Sequence, residues 1–190
     1  QIYHKGPLAI DSGLYSGIDG GYMGPHNTNY ARRTIAHNTL LIYDPDERFV
    51  SGGGSRSYIN DGGQKFTNGW RESRTLEDLM ANYQTGEVLG YGFGPDARRP
   101  AYTYLKGDIT RAYSSKVREV RRSFVFLNLD GAPVPAVLVV FDRVVSANPE
   151  FKKHWLLHSM EKPEIEGNSI ALTLSQRGWT GKLVNTVLAP

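Results

Sequence analysis

Cysteine is absent from the 190 residues. That excludes disulfides and thiolate metal sites, although it assigns no compartment. No apolar run approaches the length of a bilayer-spanning helix. Charge of one sign is scarce too: 22 Lys and Arg against 19 Asp and Glu leave a formal net charge of +3. The arginine pairs Arg32-Arg33, Arg98-Arg99 and Arg121-Arg122 are isolated, and solvated surface charge is the plain alternative for each. Without interleaved basic and aromatic motifs they make a poor nucleic-acid binder. The glycines of residues 16–29 lack the spacing and strand–helix context of a phosphate-binding loop. Glu72, Glu77 and Asp78 show no spacing that pairs two carboxylates, so a glycosidase has no support. No repeat, low-complexity tract or signal peptide is visible. The chain opens on Gln1-Ile2-Tyr3-His4-Lys5, which reads as the middle of a strand and suggests a piece cut from something longer.

What is present suits a soluble globular β-domain. Hydrophobic residues make up 39% and charged residues 22%, with 11 Tyr and 7 Phe among 21 Gly and 10 Pro. This favours an all-β fold with many turns, expected as a single domain over 1–190. Strands are predicted near 1–5, 8–11, 39–43, 102–106, 117–127, 136–145, 151–158, 164–166 and 169–174. The run 136–145 is almost wholly apolar and is expected to be buried on both faces. Thr75, with Asp78 three residues on, predicts the cap of a helix of about two turns. Ser51–Ser55 reads as linker, Phe66 and Trp70 as partial docking, and 91–95 as loop. Regular strands and turns together predict an antiparallel β-sandwich with one short helix.

The chemistry concentrates in two stretches. Leu8-Ala9-Ile10-Asp11 delivers a carboxylate into a Ser-Gly turn. Arg32-Arg33-Thr34-Ile35-Ala36-His37-Asn38 leads into Thr39-Leu40-Leu41-Ile42-Tyr43, a strand expected to begin at the histidine with two cations at its mouth. Asp11 and His37, brought together by adjacent strands, could form half of a zinc site. A turn-capping Asp and a His satisfying a backbone group are the plainer alternative. Tyr15, Tyr22 and Tyr30 flank a Gly-rich loop, where a tyrosine can act as acid or base but more often stacks. His154 and His158 on one strand would stand about 13 Å apart, too far for one ion, and read as structural.

The segments Gln1–Tyr15 and Arg33–Asp44, followed by Tyr104–Tyr113, Arg122–Leu127 and Trp155-Leu156-Leu157-His158-Ser159, resemble the heparinase II/III-like polysaccharide lyases. That resemblance implies the β-sandwich part of an enzyme built from an α/α toroid and a β-sandwich. Such enzymes cleave uronic-acid polysaccharides by β-elimination, with zinc holding the site in heparinase II-like members. It also implies Asp11 and His37 as metal ligands, Tyr15 as a catalytic-cleft residue, and Tyr30, Arg32, Arg33 and Asn38 as substrate-binding. The family's histidine-rich segment, toroid and catalytic tyrosine have no counterpart here, so the zinc site is expected to be incomplete and the chain alone inactive or nearly so. The implied partners are an acidic polysaccharide and the toroid; neither nucleic acid nor membrane is expected. An exposed sandwich face would favour self-association, and the implied location is periplasmic or secreted. A non-catalytic carbohydrate-binding or structural module is the alternative, with Tyr22, Trp70 and Tyr91 free to stack on sugars.

Overall fold

The computed structural model describes residues 1–14, 21–22, 24–51, 56–65 and 75–188. In chain order the strands are β1 (Ile2–Tyr3), β2 (Pro7–Ala9), β3 (Leu40–Tyr43), β4 (Phe49–Ser51) and β5 (Arg56–Tyr58). Helix α1 (Leu76–Tyr83) precedes β6 (Glu87–Pro95), β7 (Pro100–Asp108), β8 (Val117–Asn128) and β9 (Ala136–Ser146). The run closes with β10 (Lys152–Trp155), β11 (Glu164–Glu166), β12 (Ser169–Thr173) and β13 (Lys182–Thr186). The fold is all-β and antiparallel, of the sandwich class, with one short α-helix, as the sequence predicts. The chain divides into two compact units. One comprises Gln1–Pro45, Tyr58–Gly63 and Lys152–Pro190; the other comprises Asp46–Ser57 and Gln64–Phe151.

The second unit is built on the sheet β6-β7-β8-β9. Segment 91–95, expected as loop, is the end of β6. Gly90, Gly92 and Gly94 alternate along it, so all three fall on one face while Tyr91 and Phe93 fall on the other. The 136–145 expectation also needs correcting. It is the strand β9, but it lies last in the sheet order, with Val137, Val139 and Phe141 exposed. Among the described residues β9 pairs only with β8, and its side chains are exposed on its outer positions, so the apolar run does not signal burial. Arg122 of β8 donates from Nε and Nη2 to Asp142 directly across on β9, at 2.6 and 2.8 Å. The Thr75 cap forms as predicted: its Oγ1 accepts from the Asp78 amide at 3.1 Å.

In the first unit, Leu8, Leu172 and Leu174 form a buried cluster against Ile2, Trp179 and Leu183. β10 pairs with β3, Trp155 opposite Leu40 and Lys152 opposite Tyr43. Leu40, Leu41 and Ile42 are all buried, so both faces of β3 are covered. β3 begins at Leu40, not at His37. Thr34–Ala36 instead form one turn of 3-10 helix that ends on His37. Likewise β10 stops at Trp155, leaving His158 beyond the strand on which it was placed.

Candidate functional site

The site lies within the first unit, where the chain leaves β2 and where it approaches β3. Its floor is a buried ion pair. Arg33, 2% exposed, donates from Nη2 to Asp61, whose other oxygen accepts from the Ile35 amide at 3.2 Å. Asp61 Oδ1 also accepts from the Gly63 amide. The Ile42 amide donates to Gly62 O, and Gly62 sits at φ +73°. Asp61 therefore ties the 3-10 turn to the 61–63 turn beside β3. This corrects the expectation for Arg33. Its charge is spent internally on Asp61 and does not face a ligand.

The 3-10 turn carries His37 to Asp11. Ser12 secures the approach, since its amide and its Oγ both donate to Ala36 O, at 3.2 and 2.8 Å. With the Ser12 proton so committed, the Tyr30 hydroxyl is the donor in the 2.9 Å bond between Tyr30 Oη and Ser12 Oγ. Tyr30 thus presents only lone pairs to a ligand. It stacks at a tilt against His26, with ring centroids 5.4 Å apart. Gly13 is sterically required, because a Cβ there would sit 2.6 Å from Ala31 O and 2.7 Å from His37 Cε1.

Asp11 Oδ1 takes two hydrogen bonds, from the Gly13 amide and from His37 Nδ1, each at 2.9 Å. The bond from the Gly13 amide is the main reason the Asp11 carboxyl lies below its ordinary value of 3.8. Burial opposes it as the next largest influence, and His37, by charge and by hydrogen bond, and then His158 lower it further. An ionised Asp11 only accepts, so His37 holds a proton on Nδ1, and in the neutral ring the lone pair is on Nε2. Both side chains reach solvent, at 38% and 47% exposure for His37 and Asp11. A lone-pair nitrogen beside a fixed carboxylate can take a proton from a substrate or ligate a cation.

Two neighbours complete the arrangement. Asn38 donates from Nδ2 to Ile10 O at 3.0 Å and accepts at Oδ1 from the His158 amide at 2.8 Å. His158 Nδ1 lies 3.0 Å from the same Oδ1. Asn38, expected to bind substrate, therefore has its amide engaged within the protein. His158 was missed because a strand through 158 separates it from any partner; the strand ends three residues earlier. The available signal was the echo of Leu8-Ala9-Ile10-Asp11 in Trp155-Leu156-Leu157-His158, an apolar run that delivers a polar group at a strand end. Arg32 is exposed, with its guanidinium 5.9 Å from the Tyr22 ring centroid. Tyr15, Phe66 and Trp70 lie outside the described residues.

Zinc takes three or four protein donors in a tetrahedral shell. Asp11 offers a carboxylate and a neutral His37 an Nε2 lone pair, the donor types zinc takes, while Nδ1, 2.9 Å from Asp11 Oδ1, carries the shared proton and does not ligate. Among the described residues, no group of three or more His, Asp or Glu could hold a metal ion. The pair fits as two donors of a site that needs others.

The family model described as Heparinase II/III-like, C-terminal matches residues 2–186 of the chain. A search among curated proteins found no match.

Proposed function

The chain belongs to the heparinase II/III-like C-terminal family, and from that premise we propose that it is the β-sandwich part of a polysaccharide lyase. The reaction is β-elimination on uronic-acid-containing polymers. The observation that carries this reading is the Asp11–His37 couple, held open to solvent with an imidazole lone pair free. The chemistry asks for such a site. The proton at C5 of a uronate is weakly acidic until the neighbouring carboxylate is neutralised, and departure of O4 needs a proton.

The charge balance says what each residue contributes. With Asp11 ionised and His37 neutral, the couple is net negative and would repel a uronate. A proton on His37 or a cation held by the couple reverses that sign. Asp11 and His37 would hold zinc together with donors from outside the described residues; when bound, it would supply neutralisation of the uronate carboxylate. Arg32 adds exposed positive charge. Tyr30 accepts from sugar hydroxyls through its remaining lone pairs, its own proton being directed at Ser12. In this reading the principal acid–base residues and the toroid lie outside this chain, and Tyr15 is proposed as a catalytic residue on the family resemblance. A polymeric substrate of this kind would go with a periplasmic or secreted protein.

A second reading, a non-catalytic carbohydrate-binding module, is favoured by the exposed rings of Tyr22 and Tyr91. Calorimetric titration of uronate oligosaccharides, with and without zinc, separates the two. Zinc-dependent binding weakened about tenfold or more by Asp11→Ala is expected for the lyase site. Binding that ignores both zinc and Asp11→Ala, and is lost on Tyr91→Ala, would establish the module.

A further inference from the structure

Three segments distant in sequence close a ring of hydrogen bonds behind the Asp11–His37 couple. The Ile10 amide donates to His158 O at 3.0 Å. The His158 amide donates to Asn38 Oδ1, and Asn38 Nδ2 donates to Ile10 O. One planar amide thereby joins the exit of β2, the approach to β3 and the segment after β10. Ile10 precedes Asp11 and Asn38 follows His37, so the ring sets the two backbone points from which the couple hangs. Leu156, whose amide donates to Thr39 O at 2.9 Å, prolongs the β3–β10 ladder up to the ring.

The chemistry of the ring leaves no choice of orientation. A backbone amide can only donate, so the Asn38 atom facing His158 N is oxygen. A carbonyl can only accept, so the atom facing Ile10 O is nitrogen. The 3.0 Å contact from His158 Nδ1 to that oxygen then requires the imidazole proton on Nδ1. In a neutral His158 the lone pair is left on Nε2.

We propose that Asn38 is a positioning residue, which sets the Asp11–His37 geometry through Ile10 and His158 and fixes His158 as the Nδ1–H tautomer. His158 thereby becomes a second imidazole of the site, its Nε2 an acceptor for a sugar hydroxyl. The role given to the couple rests on the lyase reading; the clamp itself does not. Aspartate at 38 keeps the acceptor and loses the donor, whereas alanine loses both. This distinguishes the clamp from simple space-filling.

Long-range proton–nitrogen NMR of the histidine side chains, in the metal-free chain at a pH where both rings are neutral, tests this. The wild-type protein is expected to show His37 and His158 protonated on Nδ1. In Asn38→Asp the His158 tautomer is expected to persist. In Asn38→Ala it should shift toward Nε2–H, with loss of the hydrogen-bonded His37 Nδ1–H signal. An Nε2–H His158 in the wild-type protein overturns the proposal without any variant. A His158 tautomer and His37 signal unchanged in Asn38→Ala would overturn it as well. No lyase assay enters this test, so absence of turnover would sink the functional reading and leave the clamp standing.

Discussion

At Asp11 the hydrogen bond from the Gly13 amide is the largest single influence that keeps the carboxylate ionised, and His37 adds to it by charge and by hydrogen bond. The carboxyl is expected to titrate below 3.8, read from its carbon chemical shift against pH. A midpoint at or above that value would contradict the arrangement. The sign for stability follows: a group depressed in the folded state stabilises it above the unfolded value, and that contribution is lost as pH falls through the lower folded value. With nearly half the side chain exposed, the effect on overall stability is small. That Asp11 and His37 come together was legible in the sequence because Asp11 ends a short apolar run at a Ser-Gly turn and His37 stands at the mouth of the next one. Arg33 was not, since nothing in Arg32-Arg33 reveals a carboxylate 28 positions on that buries one cation and leaves the other outside. Asn38 was recognised as polar and near the site, but the His158 partner lies 120 positions away.

The elements were legible where local chemistry decides them. The Thr75 cap depends on residues within three positions of each other. Thr75→Ala is expected to cost about 1 kcal/mol of helix stability. It should speed amide exchange at Asp78 about fivefold; unchanged exchange would mean the cap contributes nothing. β6 was misread because glycine is depleted in strands, and an alternating Gly-aromatic-Gly pattern looks like a loop until a partner strand fixes its faces. β9 was misread because an apolar run records what a strand could bury and not what covers it. The 3-10 turn before β3 depends on Asp61 through the Ile35 amide and Arg33. Removing one member of a buried ion pair leaves the other charge uncompensated, at a cost of about 3–5 kcal/mol. Urea unfolding of Asp61→Ala should show a loss of that order. A loss below about 1 kcal/mol, in the range of a surface pair, would mean that Arg33 is solvated.

At the scale of the whole molecule, the four-stranded sheet carries apolar side chains on both faces. Tyr91, Leu105, Phe124 and Val140 lie in one cross-strand row, and Gly92, Tyr104, Val125 and Val139 lie in the row on the other side. Tyr91, Phe93, Leu105 and Leu138 are exposed on the first face, and Tyr102, Val137, Val139 and Phe141 on the second. Exposed apolar surface of this kind drives association. Light scattering is expected to show apparent mass rising with concentration, and a strict monomer at high concentration would contradict that. The all-β class was readable from composition and turn spacing. The division into two units was not, because the chain crosses between them several times and only long-range pairing reveals it.

If the Asp11–His37 couple serves elimination on a uronate polymer, loss of either residue must cost turnover. The most direct measurement is turnover by the natural-length protein on heparin, heparan sulfate, alginate and ulvan, followed by ultraviolet absorbance of the unsaturated product. The parent, Asp11→Ala and His37→Ala are to be compared side by side. Turnover is expected on at least one polymer, reduced about 100-fold or more in both variants. Absence of turnover on every polymer, or turnover that survives both substitutions, would contradict it.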